Sequence, residues 1–303
     1  MAKKKPYRFA VYLLARAAAA PVFWLPRRWA LAFARLAGLA AYAFVWRQKR
    51  KVLAHLNLAY GASKSGAEIR AIGRQVFSHA AQTAVEILQF PKLDERKIDA
   101  FVDFASARSY LDAVLSEGKG VICLTAHLGN WELLAGALCT KGIPMTVVGR
   151  RIYYEPYQRW IVRIRESVKM RLVDRSEGAR EILSCLKRGE VVGLLPDQDV
   201  DSLPGIWVDF FGRPAYTMTA PVKLSLKTGA PMVAGFLVRE PGDRYRLVFS
   251  EAIRPVVETT FEEAVKKYTI RWMRDFEAVI RQYPGQWMWM HDRWKTRPPA
   301  DVS

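Results

Sequence analysis

Between residues 120 and 250, short apolar runs alternate with segments of helical length. This alternation constrains the fold more than any other feature of the chain. Residues 120–125 (GVICLT), 143–148, 191–195 (VVGLL), 231–238 and 245–250 read as strands. Residues 131–140, 155–170, 178–188 (closed by Gly189), 217–228 and 261–283 read as helices. Continuous apolar strands are buried on both faces, so helices must cover both. The expected fold is α/β, a mostly parallel sheet covered by helices. Ligands of such sheets gather at the carboxyl ends of strands. That directs attention to the loops after Thr125 and Leu195. Upstream, residues 63–88 read as an amphipathic helix closed by Pro91.

The N-terminal part follows different rules. Residues 9–46 are rich in Ala, Leu and aromatic residues. No stretch there reaches the roughly 18 uncharged residues of a spanning helix. Arg16, Arg27, Arg28 and Arg35 interrupt it, and Pro21 and Pro26 break it. A secretory signal fits poorly: Lys3-Lys4-Lys5 supplies a basic start, but apolar sequence resumes beyond Arg28. Residues 29–46 hold only Arg35 inside and end in Arg47-Gln48-Lys49-Arg50-Lys51. A helical hairpin, or one tilted helix dipping into a bilayer with its basic flanks on the cytoplasmic side, is expected. A buried helical pair of a soluble domain fits the same residues.

The formal net charge of +18 calls for a polyanionic partner. Ten Trp and 12 Tyr tilt that partner toward a lipid surface rather than nucleic acid. No nucleic-acid recognition motif is present. Three cysteines argue for a reducing compartment and against a disulfide framework.

The loop after the first strand reads Ala126-His127-Leu128-Gly129-Asn130-Trp131-Glu132. Within a helix, five residues turn through about 500°, which would point His127 and Glu132 apart. They can meet only if His127 precedes the helix and Glu132 sits in its first turns, with Gly129 permitting the turn. Such a pair is a base and its orienter: a neutral imidazole accepts a hydroxyl proton, and a carboxylate on its other nitrogen fixes the tautomer. No Ser or Cys nucleophile stands in the motif, so direct transfer to a substrate alcohol is expected. Amides at the following helix N-terminus are candidates for holding an oxyanion. The same His fits a structural role, since spacing alone is common. Of the other histidines, His55 and His79 fall in helical patterns, and His291 lies in an aromatic run suited to packing or an interface.

HLGNWE resembles the H-x(4)-D/E motif of glycerolipid acyltransferases, in the Glu form of the bacterial lipid A biosynthesis (late) acyltransferase family. Asn57-Leu58 with Ala59-Tyr60, Glu86, Arg150 and Arg165 resemble further elements of that family. So do Leu195-Pro196-Asp197-Gln198-Asp199, Val208–Ala215 and the ending Trp287–Pro298. Gly61 and Asp209 stand where the family has proline. The resemblance covers essentially the whole chain. It implies a membrane-anchoring helical segment over 1–50 and an acyltransferase domain over 51–303. It implies an enzyme on the cytoplasmic face of a bacterial inner membrane, with no metal or redox cofactor. This enzyme would move a fatty acyl chain from acyl carrier protein to a hydroxyl of an anionic glycolipid, in the best-known branch a lipid A precursor.

On this reading His127 and Glu132 are catalytic, and Asn130, Arg150, Arg165 and Asp197 bind substrate. The arginines equally fit a solvated basic helix face, and Asp197 equally fits a turn cap. No His or Cys adjoins Asp197 and Asp199, so they are not read as a metal site. Phe210-Phe211 reads as packing or as acyl-pocket lining. An acyl-CoA-dependent lysophospholipid or other glycolipid acyltransferase, and a non-enzymatic basic membrane or nucleic-acid binding protein, remain as alternatives.

Overall fold

The structure, a computed structural model, describes residues 7–174 and 178–299; Lys3-Lys4-Lys5 lies outside the described residues. Helices α1 (Tyr7–Trp24), α2 (Arg27–Phe44) and α3 (Trp46–Tyr60) come first. Helix α4 (Gly66–Leu88) starts with a reciprocal cap, in which the Ser65 and Glu68 side chains each accept the other's backbone N–H. Next come α5 (Glu95–Asp99), β1 (Val102–Asp103) and α6 (Ala105–Leu115). Strand and helix then alternate through β2 (Val121–Leu124), α7 (Trp131–Thr140), β3 (Met145–Gly149) and α8 (Glu155–Glu166). The series continues through β4 (Arg171–Asp174), α9 (Ala179–Lys187) and β5 (Val191–Leu194). A hairpin of β6 (Gly205–Asp209) and β7 (Pro214–Met218) leads to α10 (Ala220–Thr228). Strands β8 (Met232–Glu240) and β9 (Arg244–Phe249) and helix α11 (Phe261–Gln282) complete the set.

The main sheet has the order β1-β9-β8-β2-β5-β3-β4. Strands β8, β2, β5, β3 and β4 run parallel, whereas β9 is antiparallel to β8. The chain is thus α/β with a mostly parallel sheet. Alternate residues of β2 feed opposite layers: Ile122 and Leu124 pack with α4, α10 and α11, and Val121 and Cys123 pack with α6 and α7. Such period-two division makes a strand continuously apolar.

Residues 217–228 are not one helix, as their pattern suggested. Phe211 and Gly212 both take positive φ (58° and 73°), forming a two-residue turn whose twist suits a hairpin. Asp209 accepts the Gly212 N–H, and Phe210 and Arg213 exchange backbone hydrogen bonds. Strand β7 therefore runs to Met218, and the helix waits for Pro221 in its first turn.

The N-terminal break also falls differently. Pro21 sits inside α1, and the chain turns at Leu25-Pro26. Helices α2 and α3 meet at 90°. The basic run after Trp46 starts α3, so a division at residue 50 would cut that helix. Helix α2 buries Ala30, Leu31, Ala34, Gly38 and Tyr42. At Gly38 a Cβ would come within 2.6 Å of the Phe77 carbonyl oxygen, so the two backbones touch. Arg27 and Arg35 turn toward the protein, where they pair with Glu86 and Asp243. The opposite faces leave Leu14, Trp24, Trp29, Phe33, Leu36, Phe44 and Trp46 in the open, Phe44 86% exposed. Among the described residues no single helix is long and apolar enough to cross a membrane.

Candidate active site

Strands β2 and β5 are parallel neighbours, with Leu124 opposite Leu194. Three residues beyond each lie His127 and Asp197. Equal offsets from paired positions bring the two side chains together. Asp197 Oδ1 accepts a hydrogen bond from His127 Nδ1 at 2.8 Å, and Oδ2 accepts the His127 backbone N–H at 2.9 Å. Trp287 Nε1 donates to the same oxygen at 3.0 Å. An ionised carboxylate only accepts, so Nδ1 carries the proton and the Nε2 lone pair is left for chemistry.

The loop around His127 is fixed through its backbone. The His127 carbonyl accepts from Met288 N–H (2.8 Å), Gly129 N–H donates to Gln286 O (3.0 Å), and Asn130 N–H donates to Leu237 O (2.9 Å). Gly129 holds φ +61°, and a Cβ there would sit 2.0 Å from the Leu237 carbonyl oxygen. No larger residue fits that approach. The His127 ring also packs edge-on against Trp131, 5.0 Å between centroids.

Glu132 and His127 line the same cleft, but Glu132 does not hold the imidazole. Its two oxygens accept from Arg165 Nε and Nη2 at 2.9 and 2.5 Å. The orienting carboxylate is Asp197. Glu132 anchors a guanidinium that has come from the last turn of α8. Arg165 faces the cleft, whereas Arg150 stands exposed at its edge with no hydrogen bond or ion pair among the described residues.

Two expected substrate contacts fall elsewhere. Asn130 is fully buried: its Oδ1 caps α7 by accepting the Leu133 N–H (2.9 Å), and its Nδ2 donates to Glu86 (2.8 Å). It is an N-cap, the role its residue type favours. It also takes up one of the amides expected to hold an oxyanion. Asp197 is buried behind His127 rather than facing the cleft. Asp199 accepts from Thr296 N–H and Oγ1 (2.8 and 2.7 Å). Phe210 and Phe211 pack against Trp287 and Trp289 and do not line the cleft.

The cleft has a volume of about 740 Å³. Ala135, Met145, Val147, Leu172, Ile182, Leu194, Leu203 and Leu224 make its wall, and Arg150, Arg165, Lys223 and Lys227 bring positive charge to it. Thr125 Oγ1 is buried there without a hydrogen-bond partner among the described residues. The arrangement suits a long apolar chain with an anionic or polar head near His127.

Burial opposes charge on His127, but the Asp197 charge and hydrogen bond, with the Glu132 charge added, raise its pKa above the usual histidine value. Burial also opposes charge on Asp197. The His127 charge and hydrogen bonds from His127 and Trp287 overcome it and push the carboxyl down to about 2.

His291, expected from its aromatic surroundings to serve packing or an interface, touches the His127 ring. Its ring centroid is 4.8 Å from that of His127. The run Trp287-Met288-Trp289-Met290-His291 carries no signal for this in its own pattern. The signal lies in tertiary pairing, since Met288 N–H bonds the His127 carbonyl.

A family model described as bacterial lipid A biosynthesis acyltransferase matches residues 1–296. The chain belongs to this family. It is 31% identical to phosphatidylinositol mannoside acyltransferase of Mycobacterium tuberculosis over 153 residues, 49% of this chain and 48% of that protein. The match thus spans about half the length of that relative. Lipid A biosynthesis lauroyltransferase of Escherichia coli is 26% identical over 276 residues, 88% of this chain and 86% of the relative. Lipid A biosynthesis myristoyltransferase of the same organism is 23% identical over 255 residues, 84% and 77% of the two chains. Where this member of the lipid A acyltransferase family departs from the proline pattern, the cleft is untouched. Gly61 closes α3 through its N–H to the Asn57 carbonyl, and Asp209 closes the β6–β7 turn.

Proposed function

We propose that the protein is an O-acyltransferase that moves a fatty acyl chain from an acyl thioester to a hydroxyl of a lipid A precursor at a membrane surface. The observation that carries this reading is His127, held by Asp197 through Nδ1, at an apolar cleft with positive charge about it. His127 Nε2 takes the proton of the acceptor hydroxyl. The oxygen attacks the thioester carbonyl, the C–S bond breaks as the ester forms, and the imidazolium returns its proton to the departing thiolate. Asp197 stabilises the imidazolium throughout. Glu132 fixes Arg165, which with Arg150 receives anionic groups of the acceptor. The net charge of +18 favours acyl carrier protein, an acidic partner, as donor over coenzyme A. A second acceptor, another anionic glycolipid, is favoured by the likeness to phosphatidylinositol mannoside acyltransferase.

The test is acyl transfer by the purified protein from acyl carrier protein or coenzyme A thioesters to each acceptor, with products read by mass spectrometry. An acylated lipid A precursor is the expected product. Acylation of the mannoside alone would favour the second reading, and no ester on either would overturn both.

We also propose that the N-terminal helices lie in the membrane interface on the cytoplasmic side of a bacterial inner membrane; the open apolar faces of α1 and α2 support the interfacial contact, and the family likeness suggests the membrane. Binding to anionic vesicles is expected to persist in high salt, because apolar burial is not screened. Leu36→Glu with Phe44→Glu, both on the open face, is expected to weaken flotation with vesicles about tenfold or more, from the lost burial of two large side chains. Unchanged flotation would mean that these faces do not meet lipid.

A further inference from the structure

The loop bearing Asp197 is gripped residue by residue from the C-terminal segment. Trp287 holds Asp197, His291 holds Gln198, and Thr296 holds Asp199. The middle contact is the one turned toward the imidazole of His127. Gln198 Nε2 lies 3.1 Å from His291 Nε2 and 3.3 and 3.5 Å from His127 Nε2 and Nδ1. Near-equal distances to both His127 nitrogens place the amide over the ring rather than in its plane. The in-plane lone pair of Nε2 is therefore left to a substrate hydroxyl. With its NH2 end at His127, the amide sets partial positive charge beside both ring nitrogens, which disfavours an imidazolium there.

We propose that Gln198 and His291 are positioning residues for the acyl transfer: His291 fixes which end of the Gln198 amide faces His127, and thereby sets the basicity of His127. This rests on His127 being the base. A neutral His291 accepts from the amide and keeps its NH2 end on His127. A protonated His291 can only donate, which turns the amide carbonyl toward His127 and stabilises its charged form. The groups facing His127 are Asp197, Glu132 and His291; those facing His291 are His127, Asp197, Lys51 and Asp292. Burial, then the charges of His127 and Lys51, hold His291 below the usual histidine pKa against Asp197 and Asp292. The neutral, accepting form is thus the resting one.

The experiment is the pH dependence of kcat/KM for acyl transfer, with the titration of the His127 ring followed by NMR in the same variants. Gln198→Ala is expected to move the acid limb and the His127 titration upward by about half to one pH unit, the scale of one neutral hydrogen bond. His291→Ala, which frees the amide to turn over, is expected to move both in the same direction. His291→Gln, which restores an acceptor, is expected to return them toward wild type. A uniform fall in rate with both limb and titration unmoved would reduce the pair to a structural clasp and overturn the proposal. His127→Ala separates the two readings: if it retains turnover, the base assignment itself fails, whatever the Gln198 variants show.

Discussion

In folded protein, His127→Ala is expected to abolish measurable acyl transfer, and Asp197→Asn to lower kcat by about 10⁴-fold, the cost of losing the tautomer in a comparable carboxylate–histidine pair. The geometry makes the second prediction the sharper. Asp197 accepts from His127 Nδ1, from the His127 backbone and from Trp287, so an asparagine of equal shape keeps the loop while removing the charge. Because Asp197 raises the His127 pKa, the acid limb of the residual activity should move to lower pH. Glu132→Gln should behave differently. It releases Arg165 rather than the imidazole, so KM for an anionic acceptor should rise while the limb moves only slightly. Steady-state kinetics across pH on the three variants checks both points. Equal limb shifts in the Glu132 and Asp197 variants would contradict the assignment of orienter.

Glu86→Gln is expected to destabilise the fold by about 3–5 kcal/mol, the cost of leaving a buried charge without its partner. Glu86 is buried and accepts from Arg27 (2.6 Å), Arg239 (2.7 Å), Asn130 (2.8 Å) and the Tyr245 hydroxyl. Arg239 is itself buried, so the substitution strands its charge. Burial opposes charge on Glu86, but Arg239 and then Arg27 outweigh it, and its pKa falls below the usual carboxylate value. A depressed pKa contributes stability that is fully present above the ordinary carboxylate value near 4.5 and lost as pH falls through the folded value. Wild-type protein should therefore lose stability steeply below about pH 4.5, and the variant less steeply. Denaturant unfolding at several pH values measures both. Activity should also suffer, since Glu86 holds the Asn130 cap and, through it, the start of α7.

The sheet was legible because β2 and β5 are continuous apolar runs, and a parallel strand between helices has no other way to look. Strand β4 was not, since Arg171-Leu172-Val173-Asp174 lies at the sheet edge and carries polar ends. The β6–β7 hairpin hid because its turn uses Phe211, a residue that seldom takes positive φ. At the candidate site, the position of His127 just beyond a buried strand was legible. Spacing alone offers Glu132, five residues on, as its partner, because sequence shows neighbours along the chain and not across a sheet. The register of β2 with β5 decides for Asp197, 70 residues away. The family resemblance offers Asn130 as a substrate contact, whereas its residue type and its place before a helix fit the cap it forms. His291 carried no local sign at all.

The clasp between Trp287–Thr296 and the Asp197-Gln198-Asp199 loop also bears on biogenesis. During translation every strand of the sheet leaves the ribosome before the residues that complete the clasp. A nascent chain thus has its sheet strands before Trp287, His291 and Thr296 can reach the Asp197-Gln198-Asp199 loop. The hydrogen bond from Trp287 to Asp197 is therefore among the last that the site acquires during synthesis.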